Sequence, residues 1–379
     1  MKSYFKRLMR VFAVAALIPT IIVNAGDAIV FGVAGPLSGD NAEYGALWRR
    51  GIDIALEEIN GQGGINGRKI EVIYEDSRSE PRQAANLAQK FVNDATILAE
   101  LGDFTTNATW AASPIYQKGG LIQLAFNPSH PELTKGGDFV FQLCPTQTDQ
   151  AKALSKVVTD RLRSRKVAIL YLNTDFGKAV RDQVAEQLRS KGVEVVADDG
   201  YQPTDKDFRS QLTKVKSLNP DAIVLGSYYT DAAIIMKQAK DLGVKADYVA
   251  SSSVHSPGLF AVGGDAVNGL ITLSVFDFVD PTPTQSNFIA KYRAAYNNDE
   301  PNTFAVQAYD AIKLLAAAAK RADASGGITR RSLRDELAKT KDFAGASQRA
   351  ITYGPTRQLA DAQLFPVVAR DGDFIPYEK

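Results

Sequence analysis

The sequence predicts an α/β protein of two similar lobes, each a parallel sheet covered by helices on both faces. Between residues 28 and 273, apolar runs of strand length alternate with helical three-four patterns, which is the signature of repeated βα units. One phrase also occurs twice. Leu98-Ala99-Glu100-Leu101-Gly102-Asp103-Phe104-Thr105-Thr106-Asn107-Ala108-Thr109 returns as Ile223-Val224-Leu225-Gly226-Ser227-Tyr228-Tyr229-Thr230-Asp231-Ala232. In both, an apolar strand stops at glycine, and polar and aromatic residues lead into a helix, as at the ligand-facing edge of an open α/β sheet. The 379 residues suffice for two domains. Two such edges imply two sheets facing one small molecule, hence a binding protein and no enzyme.

Residues 28–34 read as the first strand, closed by Gly35-Pro36-Leu37-Ser38-Gly39. Tyr44, Leu47, Trp48, Gly51, Ile52, Ala55, Leu56 and Ile59 then recur at helical spacing and form one core-facing stripe. The glycine-rich turn from Asn60-Gly61 to Asn66-Gly67 ends that helix. A strand over 69–74, a helix opened by Pro81, a strand over 96–101 and a helix over 108–118 follow. Strands over 121–124 and 139–143, joined through Asn127-Pro128-Ser129-His130-Pro131, complete the first half.

The second half reads as helix 148–163, strand 166–172, a helix to Ser190, strand 193–196, helix 208–217 and strand 222–225. Helix 231–242, strand 248–250, a short helix near Pro257 and strand 270–273 follow. Tyr44-Gly45 opens a helix in the first half and Phe176-Gly177 one in the second, 57 and 49 residues before Gly102 and Gly226. Proline and acidic residues between Phe276 and Pro283 suit a crossing back to the first lobe. Helices over 284–296, 303–321 and 329–340 come next, and residues 350–353 and 365–369 read as closing strands around Gly354-Pro355.

The amino terminus is set apart. Lys2, Lys6, Arg7 and Arg10 precede an almost wholly apolar stretch from Val11 to Val23, and Val23-Asn24-Ala25 presents small residues for cleavage. Residues 1–25 therefore read as a secretory signal peptide; the apolar run is short for a membrane span. Without those four of the 44 basic residues, the 43 acidic ones leave the remainder near −3. A balance this close to neutral argues against nucleic acid or an anionic membrane as partner. Cys144 is the single cysteine, so the fold has no internal disulfide; ahead of Pro145 it reads as a small buried hydrophobe.

Enzyme chemistry finds no footing. His130 and His255 are the two histidines, and neither has a partner at metal-ligand spacing. The serine of Gly35-Pro36-Leu37-Ser38-Gly39 is one place out of register for a nucleophile elbow. The glycines from Gly61 to Gly67 follow a helix and precede a strand, the reverse of a phosphate loop. The reading therefore contains no catalytic residue, no metal and no cofactor. Thr105, Thr106 and Asn107, by contrast, stand where the first N–H groups of a helix lack partners. Hydroxyls beside such donors make a receptor for a carboxylate, and they equally make a plain helix cap. Ser129 follows another strand. Tyr44, Phe104, Phe176, Tyr228 and Tyr229 all fall at strand-end loops, as aromatic walls for a small organic ligand.

These residues carry a family resemblance. Gly35-Pro36-Leu37-Ser38-Gly39, the helix from Tyr44, Ile59-Asn60-Gly61-Gln62-Gly63-Gly64-Ile65-Asn66-Gly67, Tyr74-Glu75-Asp76, Pro131-Glu132-Leu133-Thr134 and Tyr228-Tyr229 resemble the leucine/isoleucine/valine-binding proteins. These are periplasmic solute-binding proteins of ABC importers with the type I fold. The resemblance implies two Rossmann-like lobes joined by three crossovers, with the ligand closed between them by hinge motion. It places Thr106 at the family's serine that holds the ligand carboxylate, and Ser129 at the threonine that helps. Asn127 falls where backbone contacts the ligand, Phe176 at an aromatic of the second lobe, and Tyr228 or Tyr229 at that lobe's ligand tyrosine. Tyr44 falls at an aromatic lining the side-chain pocket.

One position departs. The acidic residue that neutralises the ligand's ammonium aligns with Ser252, within Ala250-Ser251-Ser252-Ser253-Val254-His255. Either Asp103, Asp231 or Asp277 replaces it, or the ligand carries no ammonium. The expected organisation is a signal peptide over 1–25, a first lobe of residues 26–144 and 276–353, and a second of residues 145–275 and 354–379. The expected role is a monomeric periplasmic receptor that delivers an amino acid, organic acid or amide to an inner-membrane ABC permease. The alternative is a periplasmic sensing subunit acting on a membrane signalling partner.

Overall fold

The computed structural model describes residues 28–378; the expected signal peptide lies outside them. The first sheet grows from β1 (Ile29–Gly35), α1 (Ala42–Gly61), β2 (Ile70–Asp76), α2 (Pro81–Asn93), β3 (Ile97–Gly102), α3 (Thr106–Gly119), β4 (Ile122–Ala125) and β5 (Val140–Gln142). Its five strands are parallel, in the order β2-β1-β3-β4-β5. All four β4 residues are buried, as they must be in a sheet covered on both faces.

The second sheet follows from α4 (Gln147–Lys156), β6 (Lys166–Leu172), α5 (Asp175–Ser190), β7 (Glu194–Tyr201), α6 (Arg209–Leu218) and β8 (Ala222–Gly226). It continues with α7 (Tyr229–Asp241), β9 (Asp247–Ala250), α8 (Gly258–Gly263) and β10 (Ile271–Ser274). Its parallel part runs β10-β9-β8-β6-β7, the same winding as the first sheet. In each sheet the strand order reverses beside the first strand, between β1 and β3 and between β6 and β8. Ligands bind outside the carboxyl ends of strands at such a switch. Gly102 ends β3 and Gly226 ends β8, so the repeated phrase marks both switch points.

The chain then returns. Helices α9 (Pro283–Ala295), α10 (Thr303–Ala324) and α11 (Arg330–Ala338) share one apolar core with β1, β4 and α1. Helix α10 is buried around most of its circumference, which explains its run of alanines: small side chains let α1 and the sheet approach together. The closest approach is at Gly51, where a Cβ would stand 1.8 Å from the Ala305 carbonyl oxygen. Finally β11 (Phe365–Arg370) and β12 (Asp373–Pro376) add to β10 as an antiparallel hairpin. Its two-residue turn, Asp371-Gly372, has positive φ at both positions, as a hairpin turn of matching twist requires.

Most expected elements occur within two residues of their expected ends, and five features differ, among them α10, which runs on to Ala324 instead of ending at residue 321. Strand 350–353 does not form; Phe343 and Ile351, and Tyr353 and Leu359, make single bridges. The nearby backbone bonds instead to a buried side chain: the Asp310 carboxylate accepts from the N–H of Ala346 (2.9 Å) and of Ser347 (2.7 Å). The strand expected at 193–196 runs on to Tyr201, and β12 was not foreseen. The helix expected over 148–163 ends its regular part at Lys156 and closes with a wider turn over Val157–Arg161. There the Thr159 hydroxyl donates to the Ser155 carbonyl (2.8 Å) and competes with the backbone ladder.

Candidate functional site

The turn after β3 is shaped by what can fit beside β1. Gly102 has φ +140°, and a Cβ on it would lie 2.0 Å from the Ala34 carbonyl oxygen. Asp103 follows, 2% exposed, its carboxylate accepting from the Phe104 N–H at 2.5 Å. Thr105 caps α3, its hydroxyl accepting from the Ala108 N–H at 3.3 Å. That leaves Thr106, buried at the first position of α3, with its hydroxyl uncommitted to the cap.

Burial pushes the Asp103 carboxyl up to about 6, against hydrogen bonds from Ser77 and the backbone of Phe104 and Thr105 that pull it down. The native state therefore holds a proton that the unfolded chain has released between pH 3.8 and about 6. This contribution is fully present below the unfolded value and is lost as pH rises through the folded one, on the order of 2–3 kcal/mol. Asp103→Asn keeps the acceptor and removes the titration. The melting temperature of that variant relative to wild type should rise between pH 4 and pH 7; an equal difference at both would contradict this.

Seven of the ten expected residues surround one interlobe cavity of about 20 Å3: Phe104, Thr106, Asn127, Ser129, Phe176, Tyr228 and Ser252. It has room for little more than a water, because the walls fill it. Phe176 stacks on Tyr228 (centroids 4.9 Å apart, planes 7° apart), and Phe104 lies 5.1 Å from Tyr228. A solute enters only when these rings part. The other three residues lie elsewhere. Thr105 faces a second, outer cavity; Tyr44 and Tyr229 line neither. Tyr44 was expected at the side-chain pocket, but its ring is fully buried and stacked on Phe104 at 3.9 Å, within the aromatic packing.

The inner cavity is lined by hydroxyls and amides and, among the described residues, by no carboxylate or cationic side chain. Ser252 donates through both its N–H (3.0 Å) and its hydroxyl (3.1 Å) to the Gln150 amide oxygen, a neutral pair. Ser129 is held by the Gln147 amide. Asn127 donates to Gln307 at 2.8 Å, while its own amide oxygen has no partner among the described residues. None of the three candidate replacement acids reaches this space. Asp103 lies under its turn, and Asp277 is paired with Arg349 at 2.6 Å. Asp231 lines the outer cavity beside Lys206 at 3.4 Å.

The outer cavity, about 480 Å3, is the mouth of the cleft. Asp40, Arg78 and Glu80 come from one lobe and Lys206 and Asp231 from the other, and Tyr228 borders both spaces. The charged groups thus stay outside, and the interior offers neutral donors. Pro128, Cys144, Gln150, Ser253, Thr303, Phe304 and Gln307 complete the inner lining and were missed as site residues. Gln307 left one trace, a polar residue four places after Thr303 in an otherwise apolar helix start.

A family model described as periplasmic binding protein matches residues 28–373. The chain belongs to this family. It is the substrate-binding component of an ABC transporter and works in the periplasm. The leucine-, isoleucine-, valine-, threonine- and alanine-binding protein of Pseudomonas aeruginosa is 28% identical over 324 residues, 85% of this chain and 86% of that one. The binding protein LivJ of Streptococcus pneumoniae, solved with isoleucine, is 30% identical, with a TM-score of 0.85 over 92% of this chain and all of that one. A solute-binding protein of Rhodopseudomonas palustris, solved with benzoate, shares the fold at 20% identity, with a TM-score of 0.83 over 92% of this chain and 95% of that one. Periplasmic binding proteins of this family serve transport rather than catalysis.

Proposed function

We propose that this binding protein captures a small organic acid or amide without an α-ammonium group and delivers it, as a monomer without catalysis, to an inner-membrane permease. The carrying observation is the neutral interior. An ammonium buried there without an anion would cost several kcal/mol, roughly, and Ser252 with Gln150 occupies the place where the family resemblance puts the acid. Thr106 and Ser129, with the unpaired N–H groups at the start of α3, hold the carboxylate. Phe104, Asn127, Phe176, Tyr228 and Ser252 contact the rest of the ligand. The uncommitted Asn127 oxygen favours a ligand that also bears a hydroxyl or N–H donor.

The S. pneumoniae relative points to isoleucine, whereas the fold by itself accommodates benzoate in the R. palustris protein. The lobe boundaries at 144/145, 275/276 and 353/354, and a signal peptide cut after Ala25, belong to the same proposal. A thermal-shift panel of organic acids, amides and amino acids tests the ligand class. A ligand at 100 times its dissociation constant adds about 2.7 kcal/mol. Stabilisation by acids or amides is the expected result, and stabilisation by branched-chain amino acids alone would contradict it.

A further inference from the structure

We infer that Tyr44 is a positioning residue that latches the two lobes together by capping a helix of the opposite lobe. Tyr44 stands in α1 of the first lobe, fully buried, with its ring stacked on Phe104 and edge-on to Phe304 at 4.6 Å. Both hydrogen bonds of its hydroxyl cross to the second lobe. The hydroxyl donates to the Ser253 carbonyl at 2.8 Å and accepts from the Tyr229 N–H at 3.3 Å.

Tyr229 is the first residue of α7, and its N–H is among the donors that a helix cannot satisfy internally. The residue before it, Tyr228, provides no side-chain cap. Closure therefore supplies α7 with a cap from the facing lobe, and pairs the one polar atom of the Tyr44 ring at the same moment. Parting the lobes returns all three groups to water. Burial keeps the phenol protonated, so it can always donate to Ser253.

Tyr44 and Tyr229 do not line the inner cavity, although Ser253, which accepts from Tyr44, does. The latch acts through the start of α7 on Tyr228, the ring that separates the cavity from the mouth of the cleft. Closing force is thus built into the protein independently of the ligand, and the inference does not rest on the ligand class proposed above.

Ligand-free protein is the test. Spin labels on exposed Gln83 of α2 and exposed Ser217 of α6 report lobe separation by pulsed EPR. Tyr44→Phe keeps the ring and removes both bonds, and should lower the closed-to-open ratio about tenfold. Tyr309→Phe is the control: it removes the hydroxyl of a buried tyrosine that bonds to Glu58 at 2.8 Å within the first lobe, and should leave the distribution unchanged. Tyr229→Pro, which removes the N–H at a position where proline suits a helix, should open the lobes as Tyr44→Phe does and serves if that variant fails to fold. An unchanged distribution in the folded Tyr44→Phe or Tyr229→Pro variant, or equal opening by Tyr309→Phe, would overturn the inference.

Discussion

Gly102→Ala should cost the protein about 3 kcal/mol or more of stability. The added methyl would stand 2.0 Å from the Ala34 carbonyl oxygen and 2.8 Å from a Glu100 carboxylate oxygen, at a φ of +140° that side chains rarely adopt. Relief must come from the backbone, because the nearest obstacle is the neighbouring strand rather than a flexible side chain. Gly39 provides the comparison. It also has positive φ, +83°, but nothing lies within 4 Å of a Cβ there. Gly39→Ala should therefore cost only the conformational penalty, about 1 kcal/mol. Urea denaturation of both variants separates the two effects; equal losses would refute the close approach at Gly102. Any Gly102→Ala protein that folds should also bind poorly, because the strand end that shifts carries Asp103 to Thr106.

Thr106→Ala and Thr105→Ala should divide binding from capping. The two residues are adjacent and chemically identical, yet the Thr105 hydroxyl accepts from the Ala108 N–H while Thr106 borders the inner cavity. A lost hydrogen bond to a carboxylate is worth about 1.5–3 kcal/mol, or roughly tenfold to a hundredfold in affinity. Titration with the tightest acid from the ligand panel should show that loss for Thr106→Ala. Thr105→Ala should bind within about twofold of wild type and lose about 1 kcal/mol of stability. The reverse assignment of effects would mean that the carboxylate sits at the mouth of the cleft.

Both predictions rest on a stretch that was legible in the sequence, and the reason is local. A strand end, a glycine at a tight approach and a hydroxyl-rich helix start are each encoded within a few residues. The same holds for Gly226 and Tyr228 in the second sheet. Periodicity also located α1, because one face of it meets the core. What stayed hidden depends on how distant segments meet. Gln150 and Gln307 enter the cavity from helices that follow a crossing between lobes, so no neighbouring motif marks them. Tyr44 was assigned to the pocket by position, but the closed arrangement directs its hydroxyl past the cavity to Ser253 and Tyr229. The strand expected near residue 350 failed for a similar reason: Ile351 and Tyr353 donate to the carbonyls of Phe343 and Thr340 in single contacts rather than along a ladder.

Ser252 was legible as a departure, and the structure supplies its physical setting. Its N–H and hydroxyl both bond to Gln150 instead of leaving a charge to be neutralised; Asp103 lies beneath its turn, Asp277 is in an ion pair, and Asp40, Glu80 and Asp231 stand at the mouth. The central claim of the proposal is therefore about charge: the inner cavity offers neutral donors to an acidic or amide group and, among the described residues, no anion to an ammonium. Calorimetric titration with leucine and with 4-methylpentanoate, the same carbon skeleton without the amine, tests it most directly. The account predicts that 4-methylpentanoate binds at least about tenfold more tightly than leucine, since the ammonium would lose its hydration without gaining an anion. Tighter binding of leucine would contradict it.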